Sequence, residues 1–268
     1  MKKGIRGHDV VADGIVNIAE VCKKRNIEYI QLVLEKSIDD FKFGSFSKEY
    51  ADEIKNELGD RKIAILGSYI NPSSPDEEQL AGELGKFKEK IKYATVLNPI
   101  AVGTETGTYK EGLTHSEEAY QYLLKSIKEL AEEGEKYNVN VAVEGVHCFV
   151  INTPEKLKRL LDDISLPNTR AILDPVNYIT PDNYTKQDEI IETAFSLLSD
   201  KLCAIHAKDF VMENGEMKQV LPGEGELNWR LILEKMKEYN VDVPIICEGY
   251  TDEEAQKAFS NLEKLSII

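Results

Sequence analysis

Val141-Ala-Val-Glu144-Gly-Val-His147 is a short apolar run that ends on a carboxylate, followed by a glycine and then a histidine. Three later segments share the design: Ala171-Ile-Leu-Asp174-Pro, Ala204-Ile-His206-Ala-Lys208-Asp209 and Pro244-Ile-Ile-Cys-Glu248-Gly. Each is a strand-like run capped by a group that binds a metal or moves a proton. The caps stand 30, 32 and 42 residues apart (144 to 174, 174 to 206, 206 to 248). One strand-helix unit takes about 30 residues. The four segments therefore read as successive parallel strands presenting one site at their carboxyl ends.

The alternation continues in both directions. Ahead of the opening stretch, strands are expected at residues 4–7, 29–34, 62–66 and 95–102, separated by helices over 14–24, 47–58 and 76–93. A further helix over 116–137 carries Tyr120, Leu123, Leu124, Ile127, Leu130 and Ala131 at helical spacing. Thr153 as cap with Pro154 in the first turn starts a helix over 154–164. Strands at 170–173, 202–207 and 243–247 then alternate with helices over 186–199, 229–238 and 252–264. Several strands are apolar on consecutive residues, as parallel strands covered on both faces require. The expectation is a single (β/α)8 TIM barrel over residues 1–268, with its site at the C-terminal ends of the strands. An open doubly wound sheet is disfavoured, because no GxGxxG follows the first strand. The pair Gly223-x-Gly225 comes late and lacks a third glycine.

Bulk composition narrows the function. The 268 residues include 33 Lys and Arg against 48 Asp and Glu, a formal net charge of −15. That balance opposes nucleic acid as a partner, since phosphate contacts need clustered cations. The four cysteines are scattered, which fits a reducing compartment, and Met1-Lys-Lys does not open a signal peptide. No apolar run approaches the roughly 20 residues that span a bilayer. A cytoplasmic protein with no membrane partner is expected, and a homo-oligomer, dimer or tetramer, is allowed.

Brought to one side of a barrel mouth, Glu144, Asp174, His206 and Glu248 make a set of three carboxylates and one imidazole. Bare, the carboxylates repel one another. One divalent ion removes the repulsion, and an oxygen-rich set with one nitrogen suits Mn²⁺ or Mg²⁺, with Co²⁺ and Zn²⁺ possible.

These residues resemble those of the sugar phosphate isomerase/epimerase family of xylose-isomerase-like TIM barrels. The likeness is carried by Val143-Glu144, Leu173-Asp174, His206-Ala-Lys208-Asp209, Pro222-Gly-Glu-Gly225-Glu-Leu-Asn-Trp229 and Cys247-Glu248-Gly249. It implies a metal held by Glu144, Asp174, His206 and Glu248, with Glu144 and Glu248 as the acid/base pair flanking a carbon next to a carbonyl. A small sugar or sugar phosphate is the implied substrate. This chain departs from the family at three places: Asn177, Val150 and Met212 stand where relatives carry histidine, glutamate and arginine. An amide at 177 can orient a hydroxyl but cannot take up a proton.

Substrate contacts are expected from His8, Glu105, His147, Asn177 and Lys208. Each has a plainer reading as well: a rim histidine bonded to backbone, a loop cap, a structural ion pair. Asp209 is a candidate to orient the ligands, the Tyr69-x-Asn71 loop to supply hydrogen bonds, and Trp229 to pack. Three other functions compete with epimerisation. A dehydratase of the inosose type shares the proton abstraction. A non-catalytic sugar or metal binder would keep the site alone. A nuclease of the endonuclease IV kind needs more than the four histidines here.

Overall fold

Successive residues of a strand point to opposite faces, and in this chain that parity separates two cores. The computed structural model describes residues 1–266. Eight parallel strands close into a barrel: β1 Lys3–Arg6, β2 Tyr29–Leu32, β3 Lys62–Gly67, β4 Ala101–Glu105, β5 Val141–Glu144, β6 Thr169–Leu173, β7 Leu202–Ala207 and β10 Ile245–Cys247. Their order round the barrel is β1-β10-β7-β6-β5-β4-β3-β2. Outward residues such as Ile5, Ile30, Val143, Leu173, Ile205 and Cys247 join the core under the helices. Inward ones form a smaller cluster that includes Tyr29, Ile65, Ala101, Ala142, Ile172, Ala204 and Ile246. The interior is narrow: a Cβ at Gly103 would lie 2.7 Å from Ile65 and 2.9 Å from Ile172.

The covering helices are α1 Gly14–Lys24, α3 Lys48–Leu58, α4 Glu77–Leu97, α5 Glu117–Lys136, α6 Pro154–Ile164, α7 Gln187–Leu198, α8 Trp229–Glu238 and α9 Asp252–Leu265. Side-chain caps start most of them. Ser47, Asp76, Ser116 and Thr153 accept from backbone N–H groups at the starts of α3, α4, α5 and α6. Thr251 and Glu254 form a reciprocal capping box at α9. The (β/α)8 barrel expected from the sequence is the fold observed.

Three local expectations are corrected. The fourth strand does not start at Thr95: α4 runs on to Leu97 and stops at Asn98, which takes a left-handed conformation. Pro99 then blocks any continuation, and β4 begins at Ala101. The second strand ends at Leu32 rather than residue 34, where the one-turn helix α2 Leu34–Ser37 takes over. The segment after β7 is not a plain loop but an antiparallel hairpin, β8 Asp209–Glu213 and β9 Glu216–Val220. Its turn, Asn214-Gly215, has φ of 53° and 83°, and Asn-Gly is the pair that such two-residue turns favour. No described helix is long and apolar enough to cross a membrane.

Candidate metal centre

The inward parity that fills the barrel also builds its mouth. Two residues beyond the inner-core positions Ala142, Ile172, Ala204 and Ile246, the same face presents Glu144, Asp174, His206 and Glu248. On the other half of the barrel the same step from Gly4, Tyr29 and Gly103 reaches Arg6, Gln31 and Glu105. All seven project from the carboxyl ends of their strands.

One donor atom from each of Glu144, Asp174, His206 and Glu248 lies within 4.8 Å of the other three. His206 and Asp174 are fully buried, Glu144 nearly so and Glu248 partly. The imidazole stands at the centre. Its Nδ1 is 3.0 Å from Glu144 Oε1, 2.8 Å from Glu248 Oε2 and 3.9 Å from Asp174 Oδ2. Its Nε2 is 2.7 Å from Gln31 Oε1, and Gln31 Nε2 donates to the Tyr69 hydroxyl.

Two cations flank the carboxylates. Lys208 Nζ lies 2.9 Å from Asp174 Oδ2 and 3.3 Å from Glu248 Oε1. Arg6 Nη1 donates to Glu248 Oε1 at 2.8 Å, while its other nitrogens hold Asp9. Asn177 Nδ2 donates to Glu144 Oε1 at 2.7 Å. Asp174 Oδ1 accepts from the backbone N–H of Val176 at 3.0 Å, which sets its second oxygen toward the cluster.

Electrostatics follow from this company. Burial works against the charge of His206, but the Glu144 and Glu248 carboxylates outweigh it and hold its pKa well above the ordinary imidazole value. Burial raises the pKa of Glu144 despite the pull of His206. Burial acts the same way on Glu248, yet His206, Lys208 and Arg6 overcome it and leave this carboxyl below the usual range. Glu105 is pushed up to about 7 by burial and by the Glu144 and Glu248 charges. Lys208 is held charged by Asp174 and Glu248 against its own burial.

The donor set fits a divalent cation on two grounds. Asp174 Oδ2 is buried and receives no well-directed hydrogen bond, only the nearby Lys208 ammonium. Three carboxylate oxygens and one imidazole nitrogen also form the hard, anionic set that Mn²⁺, Mg²⁺, Co²⁺ or Zn²⁺ accepts.

The other sequence candidates divide by position. Glu105 ends β4 in register with Glu144. Lys208 and Asn177 join the cluster, linked to each other at 3.4 Å. His8 is part-buried in the short turn after β1, its Nδ1 buried and unpartnered. His147 is exposed; its ring nitrogen meets the Asn177 carbonyl at 3.2 Å, which keeps it on the loop beside the cluster. Asp209 turns away from the ligands. Its carboxylate accepts from the backbone N–H groups of Phe210, Gly223, Gly225 and Leu227 at 2.8 to 3.1 Å, pinning the hairpin loop. Trp229 is buried, and its indole donates to the Lys208 carbonyl at 3.1 Å. Sequence reasoning passed over Arg6 and Gln31, although each is a polar residue on the inward face of its strand.

Across residues 19–265 the sequence matches the family described as xylose isomerase-like TIM barrel. The chain belongs to that family. No curated protein matches it by sequence. Among solved structures in the xylose isomerase-like fold, an IolI protein with a bound zinc atom superposes with a TM-score of 0.79 at 18% identity, over 100% of this chain and 97% of that one. The D-psicose 3-epimerase of Clostridium cellulolyticum, solved with D-tagatose, gives 0.76 at 16% identity, over 99% of both chains. The 3-keto-D-glucoside 4-epimerase of E. coli gives 0.76 at 14% identity, over 98% of this chain and 99% of its own. At these identities the likeness is one of fold.

Proposed function

We propose that this chain is a divalent-metal-dependent isomerase or epimerase of a small sugar or sugar phosphate, with Glu144 and Glu248 as its acid/base pair. The observation that carries the reading is the convergence of four donor atoms within 4.8 Å at the mouth of the barrel. Sugar epimerases among the structural neighbours supply the substrate class.

Glu144, Asp174, His206 and Glu248 would hold the ion, which when bound supplies the positive charge that makes a C–H next to a carbonyl acidic. The remaining work falls to side chains. One glutamate takes the proton from carbon as the carbonyl electrons shift to oxygen, giving an enediolate; the other returns a proton to the opposite face or the neighbouring carbon. Glu144 is the readier acceptor, because burial raises its pKa while Lys208 and Arg6 hold Glu248 ionised. Asn177, bonded to Glu144 at 2.7 Å, orients that carboxylate. Lys208 and Glu105 face the same mouth and would bind substrate oxygens.

A panel of keto- and aldo-sugars and their phosphates, incubated in deuterated water with Mn²⁺, tests the proposal. Deuterium at a single carbon is the expected result and identifies the substrate. Exchange accompanied by loss of water would move the assignment to a dehydratase. A protein that binds Mn²⁺ and sugar without any exchange would be a binder, and the catalytic reading would fall.

A further inference from the structure

We infer that Gln31, held in place by Tyr69, is a positioning residue that commits His206 to binding a metal through Nδ1. The inference rests on the metal site proposed above. Gln31 is the one strongly polar side chain in the strand Tyr29–Leu32 and is fully buried. Burying a primary amide is costly unless its groups find partners. An apolar residue would serve the barrel interior equally well, so the amide's partners indicate its role.

Those partners are specific. Gln31 Oε1 meets His206 Nε2 at 2.7 Å across the barrel, between residues 175 apart in sequence. A carbonyl oxygen only accepts, so Nε2 must carry the hydrogen. In an uncharged imidazole the other nitrogen then has the lone pair. That nitrogen, Nδ1, is the one facing Glu144, Glu248 and Asp174 at 3.0, 2.8 and 3.9 Å. The opposite tautomer would place its N–H among the carboxylates and its lone pair on an oxygen, and no cation could be ligated.

Tyr69 anchors the far end of the amide while Oε1 meets the ring. Its hydroxyl accepts from Gln31 Nε2, which leaves Oε1 for His206. Tyr69 itself is part-buried, and desolvation together with Glu144, Glu248 and Glu105 keeps its phenol protonated. The hydroxyl thus has one proton of its own and a lone pair for the amide. Outer partners of this kind typically change metal affinity about 10–100-fold when removed.

The experiment compares wild type, Gln31→Met, Gln31→Glu and Tyr69→Phe after removal of metal with EDTA. Co²⁺ binding is measured by calorimetry, and the visible absorption of the Co²⁺-loaded protein reports the ligand field at the ion. Gln31→Met is expected to bind Co²⁺ about 10–100-fold more weakly with an altered visible band. Gln31→Glu keeps an acceptor for Nε2–H and is expected to restore the wild-type band. Tyr69→Phe, which loosens the amide, is expected to weaken binding less than Gln31→Met. Wild-type affinity and an unchanged band in Gln31→Met would overturn the inference while leaving the metal site standing. Should Gln31→Met not fold, an unchanged affinity and band in Tyr69→Phe would overturn it instead. A wild-type protein that binds no Co²⁺ would overturn the metal site and this inference with it.

Discussion

Glu144 and Glu248 meet the same nitrogen from two sides, at 3.0 and 2.8 Å from His206 Nδ1, yet they keep different company. Glu144 has the neutral amide of Asn177, whereas Glu248 has the cations Arg6 and Lys208. Two carboxylates of unequal basicity at one centre suit a reaction that removes a proton on one side and returns it on another. Glu144→Gln and Glu248→Gln should each lower turnover by about 10²-fold or more. Steady-state rates on the substrate found by deuterium exchange check this, and retained activity in either variant would clear that residue.

Lys208 sets its ammonium 2.9 Å from Asp174 Oδ2 and 3.3 Å from Glu248 Oε1. Lys208→Met should cost the metal-free protein about 3 kcal/mol, since it takes the nearest cation from the buried Asp174 carboxylate, whereas Glu248 keeps Arg6. With Mn²⁺ present the loss should shrink, because the ion compensates the same oxygens. Paired urea titrations in EDTA and in Mn²⁺ measure the difference; equal losses would mean that the lysine and the ion do not share a site.

The metal-free protein should lose stability as pH rises. The folded state holds a proton on His206 that the unfolded chain gives up near 6.5, so that contribution is whole below pH 6.5 and drains away above it. Glu105 acts in the same direction. Its folded value of about 7 lies above the ordinary 4.5, and the cost of ionising it in the fold builds up between those values, to at most about 3 kcal/mol. Denaturant titrations in EDTA between pH 4.5 and 8.5 should show the decline, and Glu105→Gln should flatten its lower half. Divalent-ion affinity should climb over the same range, as the proton on His206 Nδ1 must leave first.

Asp209 carries a structural load that its place beside His206 and Lys208 conceals. Four backbone N–H groups converge on its carboxylate. Asp209→Ala should destabilise the protein by about 3 kcal/mol, since hydrogen bonds to a charged group are among the stronger ones. Hydrogen exchange should show the loss concentrated in residues 209–227. Uniform loss of protection would instead mean a general packing effect.

The barrel was legible from its second half. Glu144, Asp174, His206 and Glu248 are each a charged or ionisable end to an apolar run, and strands β5, β6 and β7 lie where that pattern puts them. The first half hides its strands. β1 is four residues long and largely polar, and the residues Thr95 to Leu97 that read as the start of a strand belong to the last turn of α4. Only the pair Asn98-Pro99 marks the break. The hairpin was announced by Asn214-Gly215, yet its arms are too polar to read as strands. Gln31 was missed for a physical reason: a lone amide in an apolar strand gives no chemical signal until the fold brings His206 against it. Counting two residues on from each inner-core position would have found it together with Arg6.

The closure between β1 and β10 has a consequence for how the protein comes into being. Arg6 and Glu248 are 242 residues apart, and β10 reaches both β1 and β7 to seal the ring. On the ribosome, the strands that hold Glu144, Asp174 and His206 emerge well before their fourth partner. During synthesis the nascent chain therefore carries an incomplete donor cluster, and Glu248 joins Glu144, Asp174 and His206 only after the last strand slots in beside the first.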